Sequence, residues 1–272
     1  TQGFCFRIPS QVSVNILVQP RSCRVALQFE QIAKGSYVGI CLEVISLNMG
    51  GDERRVGTGT GFIYRWRDTD FLITNWHVVT GRNPDKPEML LEGYHDSPAR
   101  IKIYMASKDS PYKFLPLSPV IELYNNGKPA WIETSINGML LDLVAIPMQL
   151  DPAVMAVKAN ALSVENDEPL GVLHNVVIIG HPFGIMPSNP FPIWKRASIA
   201  SEPMIAIEGM PKFYLDTPGR PGMSGSPVFR LSSGALLTPE ENSAIKNAVK
   251  SGSSLEVIVA MPDLAAVSYT HL

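Results

Sequence analysis

The sequence predicts an all-β protein, on three observations. Short apolar and β-branched runs recur along the chain with turn residues between them. The 23 prolines are scattered through the intervening loops. Only one segment carries the start, stripe and stop signals of a helix. At 272 residues the chain suits one unit of two packed β-barrels, and 45% apolar with 18% charged residues supplies an ample core.

Taken in order, residues 1–35 lack clear periodicity and read as an N-terminal extension. A folded unit is expected over 36–267, with barrel one to about residue 150 and barrel two from about 151. The first strand is expected over 38–47, and Asn48-Met49-Gly50-Gly51-Asp52 turns the chain into a second over 56–64. Phe71-Leu72-Ile73-Thr74-Asn75-Trp76-His77-Val78-Val79 is a β-rich apolar run that places His77 at a strand end. Asn83-Pro84-Asp85-Lys86-Pro87 reads as a surface loop. Further strands are expected over 71–74, 100–105, 141–146, 175–179, 194–201, 212–215 and 227–231. Thr238-Pro239-Glu240-Glu241 then supplies an N-cap, a first-turn proline and a capping-box glutamate. The stripe Ala244, Ile245, Ala248 and Val249, ended by Gly252, makes one short inserted helix near 239–251, before a strand-like run over 255–260.

A formal net charge of −2, with Arg54-Arg55 and Lys195-Arg196 as the charge runs, gives no basic stripe for nucleic acid and no membrane-binding surface. No stretch approaches the ~20 apolar residues of a spanning helix. Histidines do not pair with carboxylates or thiolates at ligand spacing, so neither a metal nor another cofactor is expected. Cys5, Cys23 and Cys41 are odd in number and cannot staple the second barrel. That favours a reducing cytoplasm or a bacterial envelope. The last six residues, Val267-Ser268-Tyr269-Thr270-His271-Leu272, resemble translated adapter sequence more than protein. The chain is therefore expected to be a truncated fragment, with the closing strands of barrel two missing or partial.

Chemistry concentrates at Asp216-Thr217-Pro218-Gly219-Arg220-Pro221-Gly222-Met223-Ser224-Gly225-Ser226-Pro227. A serine hydroxyl attacks only when a base takes its proton and nearby donors receive the oxyanion. Gly222 and Gly225 permit a tight turn in which the amides of Gly222 and Ser224 converge. His77 is the candidate base, since histidine is the side chain that ordinarily titrates near neutral pH. Asp142, inside the apolar run 138–146, needs a partner to be buried, and an imidazole N–H is one. Read alone, a histidine such as His77 is more often structural than catalytic, and Asp142 is equally a strand-edge aspartate facing water. Read together, the order His77, Asp142, Ser224 is that of the chymotrypsin triad and not of subtilisin or the α/β-hydrolases.

Five segments carry a family resemblance. Val56-Gly57-Thr58-Gly59-Thr60-Gly61-Phe62-Ile63 precedes the histidine, and Thr74-Asn75-Trp76-His77-Val78-Val79 contains it. Asp142-Leu143-Val144-Ala145 follows, then Ile179-Gly180-His181-Pro182-Phe183-Gly184, then Gly222-Met223-Ser224-Gly225-Ser226-Pro227. Over residues 37–230 the chain resembles the trypsin-like, chymotrypsin-fold serine peptidases, nearest to the bacterial HtrA/Deg-like type. The resemblance implies two six-stranded-type β-barrels with the active site between them and a polypeptide substrate. It also implies the catalytic set His77, Asp142 and Ser224, with Gly222 and Ser224 as oxyanion donors. Asp216 matches a loop-shaping residue of that type. Met223 replaces the aspartate used in trypsin-style activation, and Pro218 replaces the one that selects basic side chains. The substrate-binding residues stay open. Two other readings use the same residues: a non-catalytic polypeptide-binding module, and an esterase.

Overall fold

The structure, a computed structural model, describes residues 34–110, 114–116, 120–162, 169–184, 191–233 and 253–258. The first half gives β1 (Ile40–Leu47), β2 (Glu53–Trp66), β3 (Thr69–Thr74), α1 (Trp76–Thr80), β4 (Arg82–Asn83), β5 (Lys86–Leu90) and β6 (Arg100–Ala106). Short strands β7 (Phe114–Pro116), β8 (Ile121–Glu122), β9 (Tyr124–Asn125) and β10 (Lys128–Pro129) lead to the hairpin of β11 (Ile132–Ile136) and β12 (Met139–Met148). The second half gives β13 (Asn175–Gly180), β14 (Ile193–Ile199), β15 (Leu215–Asp216), β16 (Val228–Ser233) and β17 (Ser253–Ile258). The fold is all-β, as the sequence predicts.

Two antiparallel sheets organise most of these strands, with β4–β5 and β9–β10 as separate two-stranded pairs. One has eight strands in the order β11-β12-β3-β2-β1-β6-β7, with β8 also on β6; the other has five, in the order β15-β14-β13-β16-β17. Strand β2 is long because it serves two neighbours. Residues up to Gly61 pair with β1, and those from Phe62 onward pair with β3. Gly61 sits at this exchange, where a Cβ would lie 2.8 Å from Leu72 and 3.0 Å from the Ile73 carbonyl.

The buried residues of these strands form the cores. Ile40, Leu42 and Val44 of β1 pack with Ile101 and Ile103 of β6 and with Val144 and Ile146 of β12. Strand β13 is buried on both faces, hence its unbroken Val-Val-Ile-Ile run. Val176 and Ile178 face a second core with Val228 and Met223. Val177 and Ile179 face Phe62 and Phe229 in the layer that joins the two sheets. Each such fully buried side chain stabilises the fold by roughly 1.5–3 kcal/mol.

Three expectations need correction. The strand expected over 71–74 is β3, but His77 is not at its end: it lies beyond Thr74, in α1. The strand expected over 212–215 shrinks to Leu215–Asp216. The proline loop at 83–87 is the turn of the small β4–β5 hairpin. The expected helix near 239–251 lies outside the described residues.

Candidate active site

The β3–α1 connection delivers His77. All five residues of α1 are buried, and Gly81 ends the helix in the left-handed region with φ 66°, its N–H donating to the His77 carbonyl. The Trp76 indole donates to Glu133 Oε2 at 2.9 Å, and the Trp131 indole shares that oxygen at 2.8 Å, which fixes the first residue of the helix. Asn75 occupies the N-cap position, yet its side chain makes no cap bond. It reaches instead to Asp142.

Asp142 sits in an irregular stretch of β12. Glu133 and Ser135, two apart on β11, face Val144 and Leu140, four apart on β12. Extra residues in one strand re-aim its side chains, and here both Leu141 and Asp142 turn inward. The carboxylate is met by several donors. The His77 backbone N–H donates to Oδ1 at 2.9 Å, and His77 Nδ1 and Asn75 Nδ2 approach Oδ2 at 2.7 and 3.0 Å. Asn75 Nδ2 also donates to the Asp142 carbonyl at 2.6 Å. An ionised carboxylate only accepts, so Nδ1 carries the imidazole proton and Nε2 presents its lone pair. That lone pair lies 2.9 Å from Ser224 Oγ.

Ser224 is held by a turn built on two glycines in the left-handed region, Gly222 at φ 87° and Gly225 at φ 82°. No other residue fits. A Cβ on Gly222 would lie 2.5 Å from the His181 carbonyl, and one on Gly225 would overlap Thr60 O and Thr74 Oγ1. Carbonyls of the turn are tied outward: Phe183 N–H donates to Pro221 O at 2.6 Å, and Ser226 N–H to Met223 O at 3.0 Å. A trans peptide points its N–H opposite its C=O. These two bonds therefore turn the Gly222 and Ser224 amides the other way, and neither amide donates to any atom among the described residues. Phe183 takes φ 58° to make its bond, an uncommon conformation for a bulky residue.

Further anchors surround the turn. Met223 is 4% exposed and fills the second core, so the position before the serine packs rather than pairing with a charge. His181 is buried, and its Nε2–H donates to the Gly39 carbonyl at 3.1 Å. Burial pushes its pKa down to about 4, only partly offset by that bond. Asp216 is exposed on β15 opposite Ser198, away from this cluster of contacts.

The structure thus brings His77, Asp142 and Ser224 into one chain of contacts, with residues of both sheets taking part. Sequence reading had missed Asn75, Thr60 and Phe183, all of which lie within the motifs it quoted. A polar residue between two glycines, as at Thr60, was the available signal.

The model of the trypsin-like peptidase domain family matches residues 59–237. The chain belongs to this family. No curated protein matches the chain. Among solved structures, the crystal structure of Deg5 is similar over 78% of this chain and 82% of its own, at 16% identity and a TM-score of 0.43. Membership in the trypsin-like peptidase family carries a peptidase function and a polypeptide substrate. Among the described residues no helix is long and apolar enough to cross a membrane, and no three His, Cys, Asp or Glu side chains group as they would around a metal ion.

Proposed function

We propose that this peptidase is a serine endopeptidase acting through an acyl-enzyme, with Ser224 as nucleophile, His77 as general base and Asp142 as its orienting acid. The observation that carries this reading is the continuous contact from Asp142 Oδ2 through the His77 ring to Ser224 Oγ, at 2.7 and 2.9 Å. As Ser224 Oγ bonds to the substrate carbonyl carbon, its proton passes to His77 Nε2. The imidazolium so formed is stabilised by the Asp142 carboxylate. The carbonyl oxygen takes the negative charge and accepts from the Gly222 and Ser224 amides, each such donor contributing on the order of 3 kcal/mol. Collapse breaks the peptide bond, and His77 returns the proton to the leaving amine. Water then repeats the sequence on the acyl-serine and frees the acid.

Residues 36–267 form the peptidase domain in this reading, with the first barrel ending at about residue 150 and residues 1–35 preceding it. A fluorophosphonate probe tests the proposal. It should label the wild-type chain covalently and leave Ser224→Ala unlabelled; equal labelling of both would overturn it.

A further inference from the structure

Thr60 lies on β2, fully buried between Gly59 and Gly61, and the mechanism above gives it no part. Its contacts reach across the molecule. Its N–H donates to the Ser224 carbonyl at 2.7 Å, and its hydroxyl donates to the Gly222 carbonyl at 2.7 Å, 162 residues away in the chain. The same hydroxyl accepts the His181 N–H at 2.9 Å. Its carbonyl accepts the Thr74 hydroxyl at 2.8 Å, three residues before His77. The strand runs close on both sides here: a Cβ on Gly59 would lie 2.8 Å from Val78 of α1 and 3.5 Å from the Ser224 carbonyl.

We infer that Thr60 is a positioning residue that sets the serine turn for catalysis, an inference that rests on the serine-peptidase reading. The physical reason is the planarity of the peptide unit. Holding the Gly222 carbonyl fixes the plane that joins Gly222 to Met223. Holding the Ser224 carbonyl fixes the plane that leaves the nucleophile. Between them stands the peptide of the Ser224 amide, turned by the bond from Ser226 N–H to the Met223 carbonyl, and the two Thr60 bonds hold the planes on either side of it. The hydroxyl cannot swing away, because its proton is committed to Gly222 while the His181 N–H occupies a lone pair. Through Thr74, the backbone of the same residue also supports the segment that delivers the base. A buried threonine that only filled space would need none of this polarity, and valine would match its shape.

The test uses the full chain with p-nitrophenyl acetate and a fluorophosphonate probe. Thr60→Val keeps the volume and the backbone bonds but removes the hydroxyl. It should lower kcat and the labelling rate on the order of 100-fold, as a small misplacement of reacting groups does, while KM stays within about threefold. The midpoint of the pH–rate profile should not move, since Thr60 shares no hydrogen bond with the His77 ring or with Asp142. Thr60→Ser, which restores the hydroxyl, should recover the rate to within about threefold of wild type. Should Thr60→Val fail to fold, Thr60→Ala is measured in its place.

Wild-type rates in the hydroxyl-free variant would overturn the inference. So would a loss confined to KM or to thermal stability, no rescue by serine, or failure of both hydroxyl-free variants to fold. Ser224→Ala runs alongside. Labelling of that variant at the wild-type rate sinks the serine-peptidase reading itself, whereas its silence beside a fully active Thr60→Val sinks only the role of Thr60.

Discussion

Acid should weaken this fold through His181 in a measurable way. The imidazole is 2% exposed, it gives one N–H to the Gly39 carbonyl, and burial lowers its pKa to about 4 from the ordinary 6.5. The native side chain therefore stays neutral while the unfolded one takes up a proton. Stability rises with pH wherever the unfolded state holds more protons. This contribution is thus intact above about pH 6.5 and lost as pH falls toward about 4. At about 1.36 kcal/mol per pH unit the loss reaches roughly 3 kcal/mol, a large share of the 5–15 kcal/mol typical of a domain. Urea unfolding of wild type and His181→Gln, at several pH values across that window, isolates the effect. Glutamine can still donate to the Gly39 carbonyl and does not titrate. Subtracting the two free energies cancels the carboxylates common to both. The difference should shift against wild type by about 3 kcal/mol between neutral pH and pH 4. A flat difference would refute the reasoning, because the histidine would then be charging in place without penalty.

Other perturbations probe the site more directly. Asp142→Asn should cut kcat by about 10⁴-fold by leaving His77 in the wrong tautomer, as read by ester hydrolysis in the steady state. Asn75→Ala removes a donor from Asp142 Oδ2 and should cost about 2 kcal/mol in urea unfolding; an unchanged midpoint would show that the bond contributes nothing. Phe183→Pro removes the N–H that donates to the Pro221 carbonyl and, with proline's φ fixed at about −65°, also forces this residue out of its φ of 58°, so fluorophosphonate labelling should slow by at least about 100-fold. Phe183→Gly keeps that N–H at a positive φ, so stability should change by no more than about 1 kcal/mol and labelling should remain near wild type.

What the sequence made legible was what short-range chemistry dictates. The glycines around Ser224 announced a tight turn, and both adopt positive φ. The apolar alternation of β6 and the near-continuous apolar runs of β1 and β13 named their strands within a residue or two. The helix at Trp76–Thr80 was missed because Trp-His-Val-Val-Thr is β-prone; its burial and the left-handed Gly81 outweigh that local preference. Strand β11 was missed for the opposite reason, since it is almost wholly exposed and has no apolar alternation to read. Asp142 was visible as a costly charge in an apolar run, but the irregular pairing that turns it inward was not. The work of Thr60 was beyond local reading altogether, because its partners lie 121 and 162 residues further along the chain.

The layer formed by Val38, Phe62, Val177, Ile179 and Phe229 has a consequence for how activity and integrity are linked. His77 and Asp142 travel with the eight-stranded sheet, the Ser224 turn leads into the five-stranded one, and this apolar seam together with the Thr60 bonds to that turn keeps them in register. Separation of the sheets by even an ångström or two would break the 2.9 Å contact between base and nucleophile while every strand stayed folded. Should the sheets part before they melt, the base–nucleophile contact would be lost with the secondary structure intact. Covalent labelling at Ser224 would then serve as a molecular gauge of the seam, falling silent at denaturant concentrations where circular dichroism still reports an intact protein.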